Sequence, residues 1–130
     1  MSTTCAGFEK LLVWQAARRL SSQILPIILM AQEARDWPLG DQLNRAVIST
    51  IANIAEGYLR RRRREFMQFV RVAAGSNAEV RACLYVALDR GYLQPAAFDA
   101  LVEETNAIGR MLEGLQRKLA RDTGGDTDKC

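Results

Sequence analysis

Apolar side chains recur at steps of three and four residues along most of the chain, which is the period of an amphipathic helix rather than of a strand. Connections with few residues separate four such segments. We predict helices at residues 8–34, 37–59, 63–90 and 95–121. Four amphipathic helices with short connections predict an all-α fold, an up-down four-helix bundle formed as one domain by residues 1–121. The Gly/Asp/Thr-rich segment 122–130 is predicted to be a disordered tail.

Residues typical of helix ends support these boundaries. Asp36 is a suitable N-cap for the second helix, and Pro38 suits its first turn. Gly91 is a natural stop for the third helix, and Pro95 suits the start of the fourth. Pro26 lies inside the first helix, where we expect a kink or a local break.

The second helix is apolar on more than one side. Its central stretch reads AVISTIANIA from Ala46 to Ala55, and apolar residues point in every direction around the helix. A helix that is apolar all round is buried on both sides, and the simplest second partner is another copy of the chain. We therefore predict a homo-oligomer whose interface contains Ala46, Ile48, Ala52 and Ala55. The alternative is that the alanines are merely small surface residues.

Five consecutive arginines, Arg60, Arg61, Arg62, Arg63 and Arg64, join the second and third helices. Adjacent cations repel one another, and a helix start favours anions, so folding gains nothing obvious from this run. Guanidinium groups pair bidentately with phosphate and stay charged. The run therefore predicts binding to the phosphate backbone of RNA or DNA, with Arg45 and Arg71 as helpers. The alternative is a solvated turn in which Glu56 pairs with Arg60.

Composition argues against an enzyme. The chain has no histidine, and its three cysteines lie far apart, so we expect no metal, no cofactor and no catalytic nucleophile–base pair. We expect Ser49, Asn53, Ser76 and Asn77 to form hydrogen bonds between helices rather than to catalyse. The net charge of +3 is mild and does not by itself indicate nucleic acid.

No apolar segment is long enough to span a membrane, and the N-terminus has no signal-peptide pattern. We therefore expect a cytoplasmic protein that does not associate with membranes.

Three ordered motifs resemble a known family. They are the segment 8–20 with its Val-Trp-Gln, then Gln42-Leu43-x-Arg45-Ala46 with Asn53-Ile54-Ala55-Glu56-Gly57, and then the third-helix residues Glu65-Phe66, Phe69, Ala73, Gly75-Ser76 and Glu79. Together they resemble the bacterial four-helix-bundle proteins encoded in intervening sequences of ribosomal RNA genes. The resemblance covers residues 8–119. It departs at Arg62, where relatives carry a serine that caps the third helix.

The resemblance implies an up-down bundle that assembles as a homopentamer. A distant branch of the same family comprises the accessory variability proteins of diversity-generating retroelements, which bind nucleic acid and a reverse transcriptase. Residues and resemblance together predict a non-enzymatic oligomeric protein that binds nucleic acid through its arginine run. The alternative is a protein-interaction scaffold that recruits a partner enzyme.

Overall fold

The computed structural model describes residues 7–121, and this part of the chain is helical without a strand. A short 3₁₀ turn at Phe8–Lys10 precedes four α-helices, which we number α1 (Leu12–Glu33), α2 (Trp37–Leu59), α3 (Arg63–Asp89) and α4 (Pro95–Arg121). The predicted all-α, four-helix architecture is confirmed. The predicted tail at 122–130 lies outside the described residues. None of the described helices is long and apolar enough to cross a bilayer.

Two features of the first helix differ from the prediction. The helix does not begin at Phe8, because Leu11 adopts an extended conformation (φ −72°, ψ 125°) that separates the 3₁₀ turn from α1. The expected break at Pro26 is also wrong, since α1 runs through this residue. Pro26 is exposed, while Ile24, Ile27 and Ile28 are buried and hold the helix against the bundle on both sides of it.

Each helix turns one apolar face inward, and the four faces meet in a single core. Neighbouring helices in sequence pack against each other, and α1 also packs against α4, which closes the bundle. The largest fully buried apolar side chains come from all four helices: Ile24, Leu43, Ile54, Val70, Val80, Leu84, Ile108 and Leu112. The steps of three and four residues seen in the sequence therefore correspond to the inward faces of the helices.

One end of the bundle is closed by a polar network around Asp36. Its carboxylate accepts a hydrogen bond from the backbone N–H of Leu39 at 3.4 Å and so caps α2, as predicted. It also accepts hydrogen bonds from Arg90 at 2.7 Å and from the Tyr92 hydroxyl at 2.9 Å. Hydrogen bonds from Arg90 and then Tyr92 lower the pKa of Asp36 below its ordinary value. The network ties the α1–α2 connection to the α3–α4 connection.

The two helices that end beside Asp36 use the same terminal motif with different residues. After α3, Gly91 has φ +80°, and the N–H groups of Gly91 and Tyr92 bond the carbonyls of Leu88 and Ala87. This is a Schellman motif, and the predicted stop at Gly91 is confirmed. After α1 the corresponding left-handed position is occupied by Arg35, with φ +61°. A left-handed conformation is strained for arginine and free for glycine.

We therefore expect Arg35→Gly to raise the free energy of unfolding by about 0.5–1 kcal/mol, since relief of strain exceeds the added flexibility of the unfolded chain. Gly91→Ala places a side chain at the corresponding left-handed position after α3 and should lower the free energy of unfolding by about 1 kcal/mol. Urea unfolding followed by circular dichroism measures both variants. A loss of stability in Arg35→Gly would show that its side chain contributes more than its backbone strain.

Candidate nucleic-acid interface

The arginine run occupies three different structural settings. Arg60 is the C-cap of α2, Arg61 and Arg62 form the connection, and Arg63 and Arg64 begin α3. The structure therefore places the run at the junction of the second and third helices, as the sequence predicts. All of these side chains are exposed except that of Arg63, which is half-buried.

Arg60 is held by its own helix and by its neighbour. Its guanidinium lies 2.8 Å from the carboxylate of Glu56 and 5.0 Å above the ring of Phe69. A cation at the end of a helix also interacts favourably with the helix dipole. The Glu56–Arg60 pair, which we gave as the alternative explanation of the run, is thus present for this one residue. Both partners are about half exposed, so solvent screens the pair.

The next arginines occupy backbone positions that favour other residues. Arg61 has φ +68°, a left-handed conformation that glycine adopts without strain. Arg62 is the N-cap of α3 and provides no side-chain cap, where serine, threonine or aspartate would accept a hydrogen bond. Arg63 and Arg64 lie in the first turn of α3, where the helix dipole favours anions. Backbone preference therefore does not explain arginine at these positions.

The two predicted helper residues differ in their distance from the run. Arg71 is eight residues into α3, about 12 Å along the helix from Arg63, and is exposed. Arg45 lies fifteen residues before Arg60, about 22 Å away along α2. The structure thus brings Arg71 within reach of the same ligand and leaves Arg45 near the opposite end of the bundle.

The antiparallel arrangement adds basic residues that sequence reasoning missed. The start of α1 and the end of α4 lie at the same end of the bundle as the α2–α3 connection. We call this the basic end and define it as the 3₁₀ turn, the α2–α3 connection and the ten helical residues nearest to it in each helix. Its basic side chains are Lys10, Arg18, Arg19, Arg60–Arg64, Arg71, Arg117, Lys118 and Arg121.

Only four acidic side chains lie in the basic end, namely Glu9, Glu56, Glu65 and Glu113, so its net charge is +8. The opposite end, defined in the same way, has four basic and seven acidic side chains and a net charge of −3. The mild overall charge of the protein therefore conceals a strong separation of charge along the bundle axis. This separation can be found from the sequence by assigning each charged residue to one end of an up-down bundle.

The predicted oligomer interface needs one correction. Ala46 is only 2% exposed and belongs to the core of its own chain, because it shares the inward face of α2 with Leu43, Val47 and Thr50. Ile48 is 53% exposed. Ala52 is exposed and Ala55 is half-buried, so the outward face of α2 retains these three residues. A shallow surface groove beside them is lined by Asp41, Asn44, Arg45, Ile48 and Ser49.

Polar residues inside the bundle connect helices, as predicted. Ser49 on α2 and Ser76 on α3 share a hydrogen bond of 2.7 Å. The Asn77 amide donates to the carbonyl of Thr105 on α4 at 2.9 Å. Asn53 differs from the prediction, because its amide donates to the carbonyl and hydroxyl of Ser49 within the same helix.

In the described residues, the side chains that could bind a metal or act as a nucleophile lie apart from one another. Between residues 7 and 121, no three Cys, Asp or Glu side chains converge as a metal site would require. Cys83 is buried in the core, and burial, reinforced by the nearby charge of Glu79, raises the pKa of its thiol. A thiol in such surroundings is a poor nucleophile at neutral pH.

Comparison with known proteins agrees with this fold. Curated proteins give no significant match. A crystal structure of a protein of unknown function from the S23 ribosomal protein family of Bacteroides thetaiotaomicron superposes with a TM-score of 0.76 at 17% sequence identity, covering 82% of this chain and 99% of that one. At this identity the likeness shows the fold alone.

The sequence itself matches the model of a family described as 23S rRNA-intervening sequence protein, over residues 9–114. This range includes the three motifs on which the resemblance rests, apart from Phe8 at the start of the first. The chain therefore belongs to the 23S rRNA-intervening sequence protein family.

Proposed function

We propose that the protein binds nucleic acid without catalysing a reaction, using the arginine run Arg60–Arg64 at the junction of α2 and α3 to contact phosphates. The observation that carries the proposal is the placement of Arg61, Arg62 and Arg64 at a left-handed residue, an N-cap and a first helical turn. The backbone at each of these positions favours a different residue. Strain, a missing cap and an unfavourable dipole interaction typically cost between about 0.3 and 2 kcal/mol each.

Phosphate binding accounts for arginine at positions whose backbone favours other residues. Guanidinium groups form paired hydrogen bonds with phosphate oxygens and do not lose their charge at physiological pH. Contacts of this kind position a protein on nucleic acid and carry no sequence information by themselves. Binding should therefore be tight at low salt and nearly independent of sequence.

The test is titration of the full-length protein, at low salt, with two duplex DNAs of unrelated sequence and one RNA, each labelled with a fluorophore. Fluorescence anisotropy should give dissociation constants for the two duplexes that agree within about threefold. Absence of binding to all three probes at 50 mM salt contradicts the proposal and favours a scaffold that recruits a partner enzyme instead.

We also propose that the protein works as a homo-oligomer, a pentamer on the family resemblance, assembled through the outward face of α2. The support is the exposure of Ile48 (53%) beside the small side chains Ala52 and Ala55. Apolar surface of this kind is stabilised when a second copy covers it.

Ile48→Glu should dissociate the assembly, because an unpaired charge buried in an apolar interface costs several kcal/mol, roughly 3–5 when the charge has no partner. Light scattering should show a mass several times 14.5 kDa for wild type and a mass near 14.5 kDa for the variant. Leu29→Glu is the matched control, since Leu29 has the same 53% exposure on the outer face of α1. Dissociation by Leu29→Glu, with Ile48→Glu still assembled, would place the interface on α1 and contradict the proposal.

A further inference from the structure

We infer that the ligand of this site is double-stranded nucleic acid and that the whole basic end contacts it, with α1 and α4 contributing as well as the arginine run. The inference rests on the proposed function and extends it in two ways. It assigns contacts to residues outside the α2–α3 connection, and it selects the duplex over the single strand.

The first support is the distribution of charge around the basic end. Arg18 and Arg19 come from α1, and Arg117, Lys118 and Arg121 come from α4, so positive charge surrounds the bundle axis rather than following one line. Arg117 lies 3.3 Å from the carboxylate of Glu113, and both are more than 60% exposed, so this ion pair is well screened by solvent. The cations of the basic end are therefore spread over a surface and not along a single line.

The second support is the size of this surface. Packed helices lie about 8–10 Å apart, and each is about 10–12 Å wide with its side chains, so the end of a four-helix bundle measures roughly 20 Å across. The minor groove of a duplex is about 6 Å wide. A surface of about 20 Å therefore covers the groove and reaches phosphates on both flanking strands. A single strand would contact only part of it.

The third support is the state of the aromatic rings at this end. Single-stranded nucleic acid is typically held by bases stacked on aromatic side chains. Here Phe8 packs on Trp14 with ring centroids 5.0 Å apart. Tyr58 packs on Phe66 at 6.0 Å, and the ring of Phe69 lies beneath Arg60. The rings described at the basic end are thus engaged in contacts within the protein, while most of its basic side chains are exposed.

The experiment uses the full-length protein and a 20-base-pair duplex, with one of its strands as the single-stranded probe. The α4 variant is Arg117→Gln/Lys118→Gln/Arg121→Gln, which keeps good helix formers in the last turn. Lys118 and Arg121 also suit the negative end of the α4 dipole, so thermal unfolding is recorded for each protein. Arg18→Gln/Arg19→Gln on α1 is a second variant that does not touch α4.

The matched control is Arg35→Gln/Arg81→Gln/Arg110→Gln, which removes the same number of charges, three, from outside the basic end. The α4 variant should weaken duplex binding at least tenfold at low salt. It should also reduce the log–log salt slope by about one to three, since each lost phosphate contact contributes about 0.9. The α1 variant should act in the same direction, and the control should stay within about twofold of wild type.

The experiment distinguishes failure of this inference from failure of the proposed function. If the α4 and α1 variants bind the duplex like wild type while changes in Arg61, Arg62 and Arg64 abolish binding, the proposed function stands and this inference is wrong. If the control weakens binding as much as the α4 variant, only net charge matters and the inference is again wrong. Equal affinity for single strand and duplex overturns the choice of ligand. No binding by wild type overturns both proposals.

Discussion

Gly57→Ala should lower the free energy of unfolding by about 1–3 kcal/mol, although alanine is the better helix former by about 1 kcal/mol. A Cβ atom at Gly57 would lie 2.7 Å from Cβ of Phe69 and 2.9 Å from Cδ1 of Phe66. It would also lie 3.3 Å from the backbone carbonyl oxygen of Phe66. Cβ of Phe69 and this carbonyl belong to the rigid part of α3, so the methyl group can fit only if α2 and α3 separate.

The matched control is Gly114→Ala on α4. Its Cβ would approach only the far end of the Arg117 side chain, at 4.0 Å, so helix propensity should dominate. We expect this variant to gain about 0.5–1 kcal/mol. Urea denaturation of both variants gives the comparison. If Gly57→Ala is as stable as Gly114→Ala, the close approach of α2 and α3 is not required.

Replacing Arg61, Arg62 and Arg64 should weaken nucleic-acid binding by one to three orders of magnitude at about 100 mM salt, because up to three phosphate contacts are lost. The variant Arg61→Gly/Arg62→Ser/Arg64→Gln gives each position the residue that its backbone favours: glycine at φ +68°, serine at the N-cap and an uncharged helix former in the first turn. The loss should be similar for unrelated sequences.

The same variant should unfold at equal or higher free energy than wild type. Relief of left-handed strain and a new N-cap are each worth about 1 kcal/mol. The control Arg35→Gln/Arg81→Gln/Arg110→Gln removes three charges outside the basic end and should bind almost normally. A binding loss accompanied by unfolding of the variant would mean that these arginines are structural, contrary to the proposal.

The helices could be predicted because their signals are local. The start of α2 after Asp36, the stop at Gly91 and the start of α4 at Pro95 follow from capping preferences that involve a few neighbouring residues. The extended Leu11 could not be predicted, since nothing in the local sequence interrupts the apolar pattern there. Continuation through Pro26 depends on packing of the flanking isoleucines, which is a tertiary effect.

The candidate site was predicted only in part, because it is assembled from distant segments. The arginine run is visible as a string of residues, whereas placing Arg18 and Lys118 at the same end of the bundle requires knowledge of which helix ends meet. Ala46 was predicted to lie in an interface between chains, but it is buried in the core of its own chain. A run of apolar residues all round α2 indicated an outer interface, but the angle at which the helix packs decides which of them are buried.

The need for glycine at position 57 follows from the packing of α2 on α3 and not from the local sequence. Gly57 is the last residue of the Asn53–Gly57 motif. The requirement for glycine comes from Phe69, twelve residues later, whose side chain packs against Gly57. No local rule requires glycine at this helical position. The contact between α2 and α3 does.

The salt dependence of duplex binding by the wild-type protein tests the central claim most directly. If the arginines of the run Arg60–Arg64 neutralise phosphates, log affinity must fall linearly with log salt, with a slope of about −0.9 for each phosphate contacted. We predict a slope of about −3 or steeper between 50 and 300 mM salt, as expected for at least three contacts. A slope near zero, or no binding at the lowest salt, would contradict the account.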